Sequence, residues 1–351
     1  MAILGQKGGD TGLPNIMFSA TTTWTPSCNV EAIVYCIGAG GSGAHSNRDV
    51  DYSASGGGAG GTAVSRYTFL GSTAYTITIG AGGASRGVIT AAAASAGNAG
   101  GNTTIAVGGS TFMTGNGGGA GAIGSGAGCS GGTGGSASGG TIANYTGGAG
   151  GACASTKQAS GGGATGLWMT GSAGQAGITG ASTSSVVEHS FGGALNQYQE
   201  VGVYATEEKG SMDNMGTAQS KDIPVLLAPF PELFSYDEHQ NTTYNGPDLG
   251  SPSQYANITN KYHAGQIMNG GANYRFDTAQ SRGNGTYVGQ TTGPFEGGRG
   301  TVVADAFEWS YGSRVSMGAG SGATRTTDSS GRCFTAKGGA GVVLIFPTSM
   351  G

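Results

Sequence analysis

Gly38, Gly40 and Gly43 follow the apolar run IVYCIG and meet the G-x-G-x-x-G spacing with which a strand-to-turn loop approaches a dinucleotide pyrophosphate. That chemistry also needs a helix whose N-terminus faces the phosphates, and an acidic residue about 20 positions on. The next stretch of this chain, HSNRDVDYSASGGGAGG, has no helical pattern, and residues 56 to 63 hold no acid. In a chain this rich in glycine the spacing arises cheaply, so no nucleotide site is expected. A second group comprises Asp222, Asp237, Glu238, His239 and His263. Carboxylates and imidazoles bind metals or move protons, and a pair of carboxylates at a set separation cleaves glycosides. Asp237, Glu238 and His239 are adjacent rather than spaced along one face, and neither an HExxH nor an EF-hand pattern occurs. A solvated loop is the expected reading, with no catalytic residue, metal or cofactor assigned.

The five cysteines, Cys28, Cys36, Cys129, Cys153 and Cys333, are an odd number without a C-x-x-C pair. They read as thiols of a protein made in a reducing cytoplasm. Cys129 and Cys153 lie in glycine runs with no partner histidine, so small-residue packing is expected of them rather than nucleophilic chemistry. The tyrosines are more informative. Tyr236, Tyr244, Tyr255, Tyr262, Tyr274 and Tyr287 sit among Asn, Thr, Gln and Gly, as in NTTYNGPD and SPSQYANITNKYHAG. Amphipathic rings beside adaptable polar groups are the chemistry of a recognition surface, suited to sugars and to proteins. The competing reading is that these rings hold their own segment together.

The elements that must position such residues are constrained by composition. Glycine contributes 75 of 351 residues, against a usual share of roughly 7%. Each interior glycine costs a helix or strand roughly 0.5–1 kcal/mol relative to alanine, which argues against an ordinary helical or α/β enzyme. Charged residues are 10% and the formal net charge is −4, which fits neither a charge-swollen disordered chain nor a nucleic-acid binder. No apolar run is long enough to span a membrane, and residues 1 to 20 lack the pattern of a secretory signal.

Residues 38 to 193 hold 47 of the glycines, and between Gly87 and Val187 the single charge is Lys157. Proline is absent between Pro26 and Pro224, which excludes collagen. A flexible Gly/Ser linker is the bland alternative. Order in such a stretch needs a source other than side-chain burial, because the glycines cost more than the roughly 5–15 kcal/mol that stabilises a whole domain. Without a Cβ, backbones approach closely enough for direct N–H···O=C bonds with supporting Cα–H···O contacts. An extended threefold helix of polyglycine II type does this and repeats every three residues. That period occurs at Gly115, Gly118, Gly121 and Gly124, at Gly128, Gly131 and Gly134, and at Gly171, Gly174, Gly177 and Gly180.

Around these runs, AYTITIG at 74 to 80 alternates as a half-buried strand, and EAIVYCIG at 31 to 38, VSRYTFL at 64 to 70, NTTIAV at 102 to 107 and GVVLIF at 341 to 346 are β-branched or aromatic runs bounded by glycine. No segment shows a capped helical stripe. The predicted fold is all-β: a glycine-rich, β-sandwich-like domain with polyglycine II-type segments and a loop-rich aromatic insertion. VVLIF is too apolar on both faces for an edge and is expected inside the N-terminal sheet. The expected organisation is an N-terminal arm at 1–20 that serves as an anchor, a glycine-rich β domain at 21–193, an aromatic-rich insertion at 194–312, and a return to the body at 313–351. Residues 195 to 311 hold 15 of the 28 aromatic residues.

Four stretches together resemble the glycine-rich β-domain of bacteriophage tail and tail-fibre proteins: TTTWTPSCNVEAIVYCIGAGGSGA at 21 to 44, YTFLGSTAYTITIGAGG at 67 to 83, GNTTIAVGGSTFMTGNGGGAG at 101 to 121, and AKGGAGVVLIF at 336 to 346. Trp24, Pro26, Gly38 to Gly41, Gly80 to Gly83 and Gly338 to Gly341 stand at the family's motif positions. The period-three runs are also similar to the distal tail-fibre adhesins of T-even-like phages, in which packed polyglycine II helices carry receptor-binding loops. This chain differs from those adhesins in order, since its glycine-rich part precedes a long aromatic segment. The resemblance implies a non-catalytic virion protein, made in the host cytoplasm and carried in the phage tail. It would bind a host surface glycan or outer-membrane protein, with other tail proteins and two further copies of itself in a homotrimer as partners. A structural or decorating virion protein, a host-polysaccharide depolymerase and a cellular glycine-rich surface or ice-binding protein are the alternatives.

Overall fold

The computed structural model describes residues 2–7, 14–47, 52–85, 87–88, 94–125, 128–153, 170–171, 174, 187–190, 286–288, 300–303, 309–311, 317–326, 332–335 and 337–351. Among them every regular element is a strand, and the all-β expectation holds. Two sheets form a sandwich. The first has six strands in the order Ala2–Lys7, Pro14–Phe18, Val342–Met350, Val30–Ile37, Thr62–Phe69 and Ala143–Tyr145, all antiparallel. The second runs Ala137–Ser138, Ser110–Gly115, Thr103–Val107, Tyr75–Thr78 and Thr22–Trp24, also antiparallel.

Alternation decides which faces meet. In Val30–Ile37 the residues Val30, Ala32, Val34 and Cys36 are buried, with Glu31, Ile33 and Tyr35 on the outer face. In Tyr75–Thr78, Tyr75 and Ile77 point inward and the threonines outward, as their spacing predicts. The facing rows close one core containing Phe18, Phe69, Val343 and Ile345 from the first sheet and Trp24, Tyr75, Ile77, Ile105 and Met113 from the second. The Tyr75 hydroxyl accepts the Leu70 amide at 2.8 Å, so the buried ring leaves no polar atom stranded. Val342–Met350 lies between two strands, in the interior of the sheet, because Val342 to Ile345 are buried on both faces. Residues 2–7 and 14–18, within the stretch expected as an arm, are strands of this same sheet.

The strands Thr103–Val107 and Ser110–Gly115 are joined by Gly108 and Gly109, whose φ angles are +56° and +82°. Both lie in the left-handed region that a two-residue type I′ hairpin turn demands, and a Cβ at either would meet open space. Substitution there is limited by backbone conformation alone. Gly108→Ala should therefore cost about 1 kcal/mol, and Gly108→Asn less, in urea unfolding.

At one end of the sandwich the strands do not turn back. They run on as extended glycine segments: Val30–Ile37 into 38–44, Tyr75–Thr78 into 80–84, and Ser110–Gly115 into 116–122. Others enter the sandwich from such segments, with 55–61 leading to Thr62–Phe69, 96–101 to Thr103–Val107, 130–136 to Ala137–Ser138, and 337–341 to Val342–Met350. Residues 146–152 continue Ala143–Tyr145, and 317–323 join the same bundle.

These segments are held by backbone bonds with a period of three. In 55–61, the amides of Ser55, Gly58 and Gly61 donate to Ala122, Gly119 and Asn116, those of Gly56 and Ala59 to Gly151 and Gly148, and those of Gly57 and Gly60 to Ser321 and Gly318, all between 2.8 and 3.2 Å. Successive residues thus address three different neighbours and every third residue returns to the same one, as three residues per turn requires. The segment 38–44 is the centre. It donates to 55–61 through Gly38, Gly41 and Ala44, to 98–101 through Ala39 and Ser42, and to 337–341 through Gly40. It accepts from Gly83, from Gly118 and Gly121, and from Ser321 and Thr324. Six neighbours surround it, the close packing expected of rods with no side chains. In the described part of the bundle Gly318 alone has a positive φ, of 74°. Glycine is needed for approach, not for handedness. A Cβ on Gly38, Gly41, Gly58 or Gly60 would fall well within 3.0 Å of a neighbouring main-chain carbonyl.

Candidate functional site

The end of the bundle away from the sandwich is where these rods must turn. At about 3.1 Å per residue the seven residues of 38–44 carry the chain roughly 20 Å. There it enters a second set of short strands. His45–Asn47 pairs with Ala94–Ser95 and, in parallel, with Thr324–Thr326; that strand pairs with Gly300–Val303, which pairs with Val187–Ser190. A four-stranded sheet orders Thr286–Val288, Trp309–Tyr311, Arg332–Phe334 and Gly87–Val88. Tyr52–Ala54 pairs with Ile123–Ser125. A small buried cluster of Ala44, Ala54 and Ala323 sits beneath them, with the partly buried Ile123 packed against its side; the methyl groups let the rod ends stay close. Within the span 194–312 the described residues are three of these strands, each hydrogen-bonded into a sheet with flanking parts of the chain.

The structure disposes of the dinucleotide spacing. Gly38, Gly40 and Gly43 lie in the central rod, and their amides donate to Gly61 O at 2.9 Å, Gly339 O at 2.8 Å and Ser321 Oγ at 2.9 Å. The amides that would cradle a phosphate are consumed by the protein, and the rod leads into a strand rather than a helix. The candidate tyrosines Tyr236, Tyr244, Tyr255, Tyr262 and Tyr274 lie outside the described residues, as do Asp222, Asp237, Glu238, His239 and His263. Tyr287 has its backbone in the strand Thr286–Val288, in the sheet that ends on Gly87–Val88. Among the described residues no three His, Cys, Asp or Glu side chains are grouped to hold a metal ion, and no helix is long and apolar enough to cross a membrane.

The cysteines divide into distinct environments. Cys36 is fully buried in the sandwich core, where desolvation pushes its thiol up to about 12 against a lowering contact from the Gly115 backbone. Cys28 is half-buried in the loop at the opposite end of the same sheet. Cys129 and Cys153, in separate glycine runs of the sequence, are set face to face by the fold. They form an antiparallel bridge in which each amide donates to the other's carbonyl at 2.9 Å. Cys129 is half-buried and Cys153 is 3% exposed. The Cys153 thiol donates to Ala54 O at 2.7 Å, and its side chain also interacts with that of Cys129. That contact, with lesser ones from Ser53, Ser55 and the Cys153 amide, outweighs desolvation and holds the Cys129 thiol down at about 6. The pair is 24 positions apart without a motif, so a sequence signal existed only in the runs that bracket it: each cysteine adjoins a segment whose rods pair, Gly147 with Gly135 and Gly150 with Gly132.

One comparison with known proteins covers the glycine-rich body and the first part of the segment that follows it. No curated protein matches the chain. Residues 17–246 match the model of a family described as the glycine-rich domain, a span that includes Trp24, the strands of both sandwich layers except those at the two chain ends, and most of the rods. With more than half of its length matched, the chain belongs to the glycine-rich domain family.

Proposed function

We propose that this chain is a bacteriophage virion protein of the tail fibre or tail tip, which attaches the particle to the host surface by binding and performs no catalysis. The observation that supports this most directly is the six-neighbour packing around 38–44. A body whose rods are locked to one another through their backbones is stiff and offers a protease little extended chain, which suits a protein that must present loops outside a cell. The likeness of the segments around Trp24, Gly38 to Gly41, Gly80 to Gly83 and Gly338 to Gly341 to phage tail proteins points the same way.

The segment 191–285 carries five of the six candidate tyrosines, and it is flanked by Val187–Ser190 and Thr286–Val288, both at the end of the bundle opposite the sandwich. In this reading those rings contact a glycan or an outer-membrane protein, and the sandwich end faces other tail proteins. A homotrimer would multiply weak sites into firm attachment. The test uses fluorescent full-length protein, and a variant lacking 195–285 but retaining the flanking strands, on cells that the particle infects. Full-length protein should coat the cells and block adsorption of the particle, and the variant should stay soluble and bind at background. Equal binding by both would move recognition to the glycine-segment loops, and no binding by full-length protein would favour a structural or decorating component. Released oligosaccharide would favour the depolymerase.

A further inference from the structure

We propose that Cys129 and Cys153 form a reversible disulfide that locks the loop-bearing end of the glycine bundle when the protein meets an oxidising environment. Directly opposed residues that exchange both backbone bonds have Cα atoms about 5.5 Å apart. A disulfide spans about 4.4–6.8 Å between Cα atoms, a range that includes this separation. The bridge belongs to the fold independently of the sulfurs, because 130–136 and 146–152 are already joined by Gly147 to Gly135 and Gly150 to Gly132. The two residues are directly opposed in the bridge, and Cys129, the more accessible one, accepts a hydrogen bond from Ser53 Oγ at 3.4 Å. Cys28 and Cys36 belong to the sandwich, and Cys333 has its backbone in the strand Arg332–Phe334, opposite Val88 and Ser310, so each is placed apart from the pair.

The chemistry is thiol–disulfide exchange with a small-molecule disulfide such as oxidised glutathione. The Cys129 thiolate attacks one sulfur of that disulfide; a new S–S bond forms, the old one breaks, and one glutathione thiolate leaves and takes a proton from water. Cys153 then gives its proton to water and its sulfur attacks Cys129 Sγ, expelling the second glutathione. The protein loses two hydrogens and the oxidant becomes two thiols. The bond adds a covalent tie to the distal ends of two rods, immediately before the chain continues at residue 154. It leaves the reduced protein able to fold in a cytoplasm and tightens it afterwards.

The experiment treats the full-length protein with oxidised glutathione, alkylates the remaining thiols, and maps the peptides. The expected product is a Cys129–Cys153 cross-link with Cys28 still alkylated and Cys36 protected by burial, together with a melting temperature that rises on oxidation and returns on reduction. Cys153→Ser should stop at a stable glutathione adduct on Cys129, and Cys129→Ser should give no adduct at Cys153. Protection of Cys36 in each variant reports that the body is folded, and the parent's cross-link map decides the matter if a variant is not. A parent that ends as a glutathione adduct, that stays reduced, or that links either residue to another cysteine would overturn the proposal. So would a Cys129→Ser variant whose Cys153 reacts as fast as Cys129 does in the parent.

Discussion

Gly40→Ala should destabilise the protein by about 4 kcal/mol or more, a large part of the roughly 5–15 kcal/mol that holds a domain folded. The added methyl group would collide with the Ala319 carbonyl and would stand 2.7 Å from the Gly320 nitrogen. Those are main-chain atoms of a neighbouring rod, so no rotamer change relieves the clash. Moving that rod away breaks the bonds from Ser321 to Gly41 and from Thr324 to Ala44, and a shift of the central rod strains the bond from Gly40 to Gly339 in a third rod. Each buried donor or acceptor left without a partner costs about 1–3 kcal/mol, and overpacking adds a similar amount. The check is urea unfolding alongside Gly108→Ala, the same chemical change at a site with open space. A large loss for Gly40→Ala, or its recovery only in inclusion bodies, beside a loss of about 1 kcal/mol for Gly108→Ala would establish close backbone packing as the cause. Equal midpoints for the two variants would refute it.

Trp24→Ala should cost about 3–5 kcal/mol, through the other half of the molecule. Trp24 is 8% exposed, although it ends a three-residue edge strand. Its ring lies 4.9 Å from Phe69 in an edge-to-face arrangement, 5.7 Å from Phe18 and 6.3 Å from Tyr75. It therefore joins the two layers, since Phe18 and Phe69 belong to the first sheet and Tyr75 to the second. Removing it opens a cavity that neither sheet can fill, because Tyr75 is tethered by its hydrogen bond with the Leu70 amide. Trp24→Phe keeps one ring and should lose about 1–2 kcal/mol. Near-ultraviolet circular dichroism and urea midpoints read both. A Trp24→Ala protein that unfolds with the parent would show that the layers are held elsewhere.

These two substitutions probe unlike sources of stability. The sandwich is held by buried apolar and aromatic side chains. The bundle is held by amides and carbonyls, and its side chains are kept where they do no harm. Ser42 illustrates this in the central rod. Its hydroxyl donates to Ala84 O at 2.8 Å and accepts from the Asn98 amide at 2.8 Å, so the one side chain longer than a methyl group in 38–44 bridges two neighbours instead of separating them.

Much of the body was legible in the amino-acid sequence. Strands with period-two alternation, such as that at Tyr75 and Ile77, and the buried C-terminal strand arise from side-chain chemistry that acts locally. The three-residue period also showed, since Gly118 and Gly121 do donate to the same neighbouring segment, at Ala39 and Ser42. The same composition hid which rods touch. The phase of a run carries the chemistry, yet Gly132 and Gly135 donate to the segment 56–59 while the neighbouring Gly131 and Gly134 approach Gly150 and Gly147, and all four are identical residues.

The sequence alone therefore determined the kind of structure: all-β, with glycine segments that can be ordered only by main-chain contact. Tertiary structure decided the neighbours. It put 38–44 at the centre of six segments, turned a dinucleotide-like spacing into an internal rod, and brought Cys129 opposite Cys153. The physical reason is that a glycine rod presents nearly the same surface on every side. Its partners are selected by the strands that feed it and by the register they impose, and both are properties of the assembled sheets.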